Sequence, residues 1–319
     1  MSERGLTASA KTAASAESAY VAVDSVSVKL VEQIRKVAES NATVLVRGEN
    51  GVGKELVASL LHYLGPHADE PIVKIDCASL PHELVESELF GYEKGAFTGA
   101  THQKRGRLEL AGSGTLMLDE IAALTMTIQA KLLRVIEQKE FERLGGEKTI
   151  KVNARILALT NVDLERAVAR RSFREDLYYR LSVIPLTVPP LRERRDDIQP
   201  LAEHFLAQLA EVHRRTRPML APDALAALLA FSYPGNVRQL RNIIERVIVM
   251  STGPEINEED LPRFVRQGTG RPLMTLEDME RSYIAEVLDA TRGKKSKAAE
   301  ILGISRKTLL EKRKRYKLD

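Results

Sequence analysis

Tryptophan is absent, aromatic residues make up only 5% of the 319 residues, and cysteine occurs once, at Cys77. Each shortage excludes something. With so few rings, the core must be built from aliphatic side chains. A single cysteine forms no internal disulfide and no thiolate metal cage. That suits a reducing cytosol, and a cytoplasmic location is expected. No apolar run approaches the ~18 residues that a membrane span needs, so no membrane partner is expected. The opening stretch MSERGLTASAKTAASAESAY lacks the continuous apolar segment of a secretory signal. It reads as an Ala/Ser-rich flexible tail or a weak amphipathic helix.

What is present looks globular: 44% hydrophobic and 29% charged residues, in a chain long enough for two domains and a small third. The formal charge of +4 is unevenly spread. Residues 294–319 hold ten Lys or Arg against three acids, a net of +7, and the rest of the chain sums to −3. Positive charge confined to the C-terminus directs the search for nucleic-acid contact there.

Short apolar runs at 43–48, 72–76, 115–119, 154–160 and 183–188 alternate with helical stretches. This is the sign of a mainly parallel sheet wrapped by helices, with strands buried on both faces. After TVPPLRERRDDI only helices are expected, at 200–215, 222–231 and 236–250. The predicted organisation is a tail (1–24), an α/β body (25–190), a helical lid (191–265), a linker (266–272) and an all-α C-terminal domain (273–319). In that last domain Thr275 caps a helix with Asp278, Met274 staples to Met279, and the helix over 276–290 offers a dimer seam.

TVLVRGENGVGKELVASLL carries Gly48, four residues, then Gly53 and Lys54. A G-x4-GK alone arises by chance in about one chain in ten of this length. Here an apolar strand feeds the loop and a helical pattern leaves it. Glycines let successive N–H groups face phosphate oxygens, the helix N-terminus adds its dipole, and Lys54 reaches the β and γ phosphates. The expected cradle for ATP is Gly48, Glu49, Asn50, Gly51, Val52, Gly53, Lys54 and Glu55. Glu55 stands where a hydroxyl ligand for Mg2+ is usual. The strand GTLMLDE ends in Asp119 and Glu120. Asp119 suits Mg2+ through water, and Glu120 suits polarising the attacking water.

Together with ESELFGYEKGAFTGA, QAKLLRVIEQ, FREDLYYRL and PGNVRQL, these stretches resemble the bacterial enhancer-binding activators of sigma-54 RNA polymerase. They are AAA+ P-loop ATPases of α/β fold with a helical lid. The resemblance runs from about Val26 to Pro262, and the GAFTGA segment is its most specific part. It implies that Gly95, Ala96, Phe97, Thr98, Gly99 and Ala100 form a loop that contacts sigma-54 and moves with nucleotide state. Phe97 and Thr98 would be the contact surface, with backbone freedom from Gly95 and Gly99. It further implies that Asn161 orients water, that Arg174 and Arg180 reach the nucleotide of an adjacent subunit, and that Arg238 carries nucleotide state into the lid. Pro234 and Gly235 make the lid turn and Asn236 caps the helix behind it.

Three positions depart from the family pattern. Asp76 replaces the Asn that restrains the catalytic glutamate, so an Asp76–Glu120 pair would need a shared proton or a water. Tyr233 replaces a Trp and keeps some aromatic packing. Gln239 replaces a Glu and loses a charge.

The C-terminal KKSKAAEILGISRKTLLEKRKRYKLD resembles the Fis-type helix-turn-helix of the same family. Ala298, Ala299, Ile301 and Leu302 lie on the first helix, Gly303 permits the turn, Ile304 plugs the core and Ser305 caps the second helix. By position Ser305, Arg306 and Thr308 face base edges, Lys307, Lys312, Lys314 and Lys317 meet phosphates, and Glu311 accepts from a cytosine.

The whole implies a DNA-binding, ATP- and Mg2+-dependent activator, a homo-oligomer between a dimer and a hexameric ring. It would open the complex of sigma-54 RNA polymerase holoenzyme on double-stranded enhancer-linked promoters. About 24 residues before the ATPase region leave no room for the receiver of two-component relatives. Control then lies with a separate regulatory protein or with abundance, or a regulatory domain is missing from this chain. A regulator acting by occupancy alone fits the reader but not an intact GAFTGA, and a helicase-type motor fits the ATPase but not the loop.

Overall fold

The computed structural model describes residues 20–251, 253–266, 284, 287, 288, 291 and 295–316. The tail before Tyr20, the linker beyond Arg266, the Thr275 cap, the Met274–Met279 staple and Lys317 lie outside the described residues, as do most of 276–290 and the side chains of Glu311 and Lys314. The chain separates into two units, Met1–Pro262 and Arg263–Asp319.

The first unit opens with α1 (Ser25–Ala38), whose first turn is capped by the Asp24 carboxylate accepting from Val26 N–H at 3.0 Å. It is followed by β1 (Val44–Arg47), α2 (Lys54–Tyr63), β2 (Ile72–Asp76) and α3 (His82–Phe90). Two-residue strands β3 (Gly91–Tyr92) and β4 (Lys104–Arg105) pair antiparallel before α4 (Arg107–Ala111), β5 (Thr115–Asp119) and α5 (Met126–Gln138). A second hairpin, β6 (Glu140–Glu142) with β7 (Thr149–Lys151), leads into β8 (Arg155–Thr160), α6 (Leu164–Ala169), α7 (Glu175–Leu181) and β9 (Ile184–Thr187). Three longer helices follow, α8 (Ile198–Val212), α9 (Pro222–Ala230) and α10 (Asn236–Met250).

The central sheet is parallel throughout, in the order β2-β5-β8-β1-β9. Side chains of β1, β5 and β8 alternate between two aliphatic cores. Leu45, Leu116, Leu118, Ile156 and Ala158 face one side with Leu89 and Leu132, whereas Val44, Val46, Met117, Leu157 and Leu159 face the other with Leu30, Ile34 and Leu61. Both faces being covered is why these runs show no polar alternation. The expectation of burial on both faces fails for the two edge strands: β2 buries only Ile75 and β9 only Leu186. An edge strand has one neighbour, so helices cover it incompletely.

A buried arginine ties helices to sheet. The Arg155 guanidinium donates to the carbonyls of Ala38, Val37 and Leu61 at 2.9 to 3.1 Å, satisfying the ends of α1 and α2. Burial lowers its pKa.

In the second unit α11 (Lys295–Ile301) and α12 (Arg306–Tyr316) pack around Ala298, Ala299, Leu309 and Tyr316, with Ile284, Val287 and Leu288 completing the core. Ile304 is half-buried against this cluster, as expected of a plug, while Ile301 is exposed and Leu302 falls just beyond the helix.

Cys77 extends the β2–β5 ladder, donating its N–H to Asp119 O at 3.0 Å, and is 1% exposed. Burial, reinforced by the charges of Asp76, Asp119 and Glu120, pushes its thiol up to about 12. The native protein should therefore leave a disulfide reagent such as DTNB unreacted at pH 8 and consume one equivalent once unfolded in guanidinium. Rapid reaction of the native protein would mean that this end of β2 is not packed.

Candidate functional site

The loop after β1 is held from behind. Gly48 N–H donates to Thr160 O at 3.2 Å, and Lys54 Nζ donates back to the carbonyls of Gly48 and Glu49 at 3.0 and 3.3 Å. The next three carbonyls each accept from the segment after β9: Asn50 O from Asn236 Nδ2 at 3.0 Å, Gly51 O from Arg238 N–H at 3.3 Å, and Val52 O from the Arg194 guanidinium at 2.7 Å. With its carbonyls committed to one side, the loop's N–H groups from Glu49 to Lys54 find no protein acceptor among the described residues. Unpaired donors in sequence, at a helix N-terminus and beside a lysine, are the donor set a polyphosphate needs. Lys54 is 7% exposed, and burial lowers its pKa.

The two strand-end acids converge here. Asp119 is 8% exposed; its Oδ1 accepts from Glu120 N–H at 3.1 Å and its Oδ2 lies 3.1 Å from Lys74 Nζ. Glu120 adopts a left-handed backbone, φ +49°, unusual for a non-glycine residue. Its Oε2 accepts from Asn161 N–H at 3.3 Å and its Oε1 lies 3.8 Å from Lys54 Nζ. Asn161 Nδ2 in turn donates to Asn50 Oδ1 at 2.9 Å. Thus Lys54, Asp119, Glu120 and Asn161 meet at one place. Asp76 makes no direct hydrogen bond to Glu120, in keeping with two acceptors: Asp76 Oδ1 accepts from Ala78 and Ser79 N–H at 2.9 and 3.1 Å. An ionised carboxylate only accepts, so it takes the nearest free donors.

For a divalent cation the fit is conditional on phosphate. No group of three or more His, Cys, Asp or Glu able to hold a metal occurs among the described residues. Asp119 is the most buried acid here and would supply one oxygen, with phosphate and water oxygens completing the shell, the usual arrangement for Mg2+. Glu55 is 2.7 Å from Lys74 Nζ.

Asn236 does not cap α10. Its backbone is left-handed, φ +52°, it is fully buried, and no side-chain bond caps the helix start. Asn236 Oδ1 accepts from Leu191 N–H at 2.8 Å, and Nδ2 donates to Glu49 Oε2 at 3.1 Å as well as to Asn50 O. Arg192 grips the same Glu49 bidentately at 2.6 and 2.8 Å, and together they hold its carboxyl down at about 2. Gln239 closes the turn instead, accepting from Gly235 N–H at 2.9 Å. Tyr233 keeps the aromatic packing expected of it, fully buried against Phe231 with ring centroids 5.0 Å apart. Approach at Gly51 is so close that a Cβ there would lie 2.4 Å from Gly235 O. Arg192 and Arg194 sit in the PPLRERRDDI stretch, whose sequence does not reveal what they hold. Lys74 had no sequence signal.

The other expected residues lie apart from this cluster. Arg174 pairs with Asp176 at 2.7 Å and Arg180 with Glu137 at 2.9 Å, both on the surface. In the GAFTGA segment, Gly95 and Gly99 have φ of +86° and +106°, where β-carbon residues are strained. Gly95 N–H donates to Ala100 O at 2.8 Å, closing the loop. Phe97 is 46% exposed and rests edge-on against Tyr92, with centroids 5.0 Å apart, so the ring is shelved on the β3–β4 neck rather than bare. Thr98 is exposed and Ala100 buried. Arg143 braces the neck through Glu93 and Glu109, each at 2.7 Å.

In the second unit Ser305 caps α12, accepting from Thr308 N–H at 3.1 Å, and Gly303 turns the chain with φ +65°. Ser305, Arg306 and Lys307 are exposed, Thr308 and Lys312 half-buried, and Lys314 lies on the same helix.

Replacing Asn236 with Ala leaves the buried Leu191 N–H without a partner and places a β-carbon residue in the left-handed region, costing about 2–4 kcal/mol. Urea unfolding should show the loss. Asn236→Gly should recover only the backbone part, and full recovery by Gly would mean the side-chain bonds contribute nothing.

Comparison with known proteins places these features in one family. Residues 21–187 match the sigma-54 interaction domain, 192–274 the AAA+ ATPase lid domain and 275–316 the bacterial regulatory protein, Fis family. The regulatory protein AtoC of Escherichia coli K12 is 47% identical over 297 residues, covering 89% of this chain and 64% of that protein. The transcriptional regulatory protein ZraR of Salmonella typhimurium is 45% identical over 291 residues, covering 89% and 65%. The chain thus spans somewhat under two thirds of these relatives. Crystal structures of NtrX from Brucella abortus with ADP and with ATP superpose with a TM-score of 0.73 at 36% identity, covering 93% of this chain and 69% of that one. By its matched domains and by the relatives that share them, the chain belongs to the sigma-54 interaction domain family of AAA+ ATPases with a Fis-type helix-turn-helix.

Proposed function

We propose that the chain hydrolyses ATP to activate transcription by sigma-54 RNA polymerase from upstream double-stranded DNA. The observation that carries this reading is the unpaired N–H run of the phosphate loop beside Lys54, Glu120 and Asn161. The NtrX structures with ATP and ADP support the choice of nucleotide.

Residues 48–55 cradle the phosphates, Lys54 leaves the loop carbonyls for phosphate oxygens, and Arg238 follows from the lid. Asp119 would hold Mg2+ through water, which would offset phosphate charge. Glu120 orients and polarises the attacking water, with Asn161 fixing the carboxylate through its N–H. Asp76, the last residue of β2 and the register partner of Asp119, keeps to its own turn. Arg174 and Arg180, whose side chains pair with Asp176 and Glu137 rather than with residues of their own nucleotide site, act on that of an adjacent subunit in a homo-oligomeric ring. Their present partners are surface acids, and exposed ion pairs of this kind are weak, so exchanging them for a phosphate is easy. Phe97 and Thr98 contact sigma-54. Ser305, Arg306, Lys307, Thr308, Lys312 and Lys314 contact DNA, the first residues of α12 in the major groove and the lysines on phosphates.

Two substitutions test the division of labour. Glu120→Gln should retain ATP binding and slow turnover by about 10²–10⁴-fold, the range for removing a general base. Thr98→Ala should hydrolyse ATP within about twofold of the parent, as expected for a surface residue outside the ATPase site, yet fail to form open complexes at a sigma-54 promoter. Undiminished open-complex formation would remove the loop from the mechanism; undiminished hydrolysis in Glu120→Gln would remove the site.

A further inference from the structure

Lys74 is an exposed residue of β2 whose side chain crosses to the strand-end carboxylate of its neighbour β5. Its Nζ lies 2.7 Å from Glu55 Oε2 and 3.1 Å from Asp119 Oδ2. Glu55 follows the phosphate-loop lysine, at the position where a metal-binding hydroxyl is usual in such loops. Asp119 is the acid best placed to hold a cation for the phosphates. One ammonium therefore pairs with both carboxylates and offsets one of their two charges at the place where a divalent ion would be drawn. The fold does not require it, since Lys74 lies outside both aliphatic cores of the sheet.

We propose that Lys74 is a positioning residue for the divalent cation, cancelling one of the two charges of Glu55 and Asp119 so that the cation is retained only together with nucleotide phosphates. The inference rests on the ATP-site reading above. Without Lys74, two uncompensated carboxylates on either side of one point would attract free Mg2+ to a site that still has no substrate. With Lys74, the local charge falls by one unit, and the phosphates must supply the missing attraction. Glu55 is the second half of the device. It offers the ammonium a partner when Asp119 is engaged, so the glutamate that replaces the hydroxyl serves the lysine rather than the metal.

Electrostatics sets the size of the effect. Removing a unit charge about 6 Å from a divalent ion, at a water-like dielectric, changes affinity about tenfold at low salt. The test is Mn2+ titration of the full chain without nucleotide, read by electron paramagnetic resonance, alongside binding of a fluorescent ATP analogue without metal. Lys74→Met should bind Mn2+ about tenfold more tightly than the parent. Lys74→Arg, which keeps the charge, should stay within about twofold, as a purely electrostatic role demands. Glu55→Gln should shift binding in the opposite direction, because an acid is lost while the ammonium remains on Asp119. Failure of Lys74→Met to bind Mn2+ measurably more tightly, or an equal gain in Lys74→Arg, overturns the proposal. Absence of analogue binding to every protein overturns the ATP-site reading itself, which separates the two failures.

Discussion

The structure depends on which side of the phosphate loop is tied. Five successive carbonyls, from Gly48 to Val52, accept hydrogen bonds from Lys54, Asn236, Arg238 and Arg194. A peptide unit is planar, so fixing its carbonyl also aims its N–H. The donors from the segment after β9 thus turn the loop's amides toward the space above Lys54. Preorganised donors of this kind need no rearrangement when charge arrives. The glycines of the loop supply permissive dihedrals, but it is the carbonyl partners that select among them.

The same contacts join the α/β body to the helices behind it. Asn236 bonds Glu49, Asn50 and Leu191 at once, and Arg194, 2% exposed, binds Val52 O while its neighbour Asp197 accepts from Val23 and Asp24 N–H at 2.7 and 2.8 Å. A shift of the helices would therefore pull on the loop's carbonyls directly, and a shift of the loop would pull on the start of α1. Coupling through such contacts needs no flexible intermediary. Where Gly51 meets Gly235 O, no side chain fits between the two backbones.

Much of this was legible in the sequence, because strand and helix periodicity is a local signal. The three helices after β9 were expected at 200–215, 222–231 and 236–250, and begin and end within three residues of those limits. All five strands of the central sheet fall inside their expected ranges, whereas the short two-stranded pairs, including Met219–Leu220 with Glu255–Ile256 where only helices were expected, were not foreseen. What escaped depends on contacts distant along the chain. Asn236 following Gly235 reads as a helix cap, because capping is a local habit of Asn; its bonds to Glu49 and Asn50 span 187 and 186 residues. Arg155, Arg194 and Lys74 gave no hint that two would be buried and one would bridge two acids. Edge strands looked like central ones, since strand order is not written in any single strand.

The arginines divide by burial, and the division bears on what can move. Arg155 and Arg194 lie inside, the first spread over several backbone carbonyls and the second on Val52 O, the Tyr20 hydroxyl and Asp197, and a charge stripped of water cannot leave such partners without another set waiting. Arg174 and Arg180 lie outside, each on a single nearby acid, with water ready to replace it. The buried pair holds the backbone behind the phosphate loop and the sheet, whereas the exposed pair costs little to exchange for another anion. Arg143 stands between them: its side chain is 11% exposed, yet its partners Glu93 and Glu109 are side chains, not backbone. Its hold on the neck below Phe97 is stronger than a surface pair and weaker than a backbone anchor. The neck below Phe97 is thus braced by two ion pairs among side chains, and the ring is shelved on Tyr92 above them.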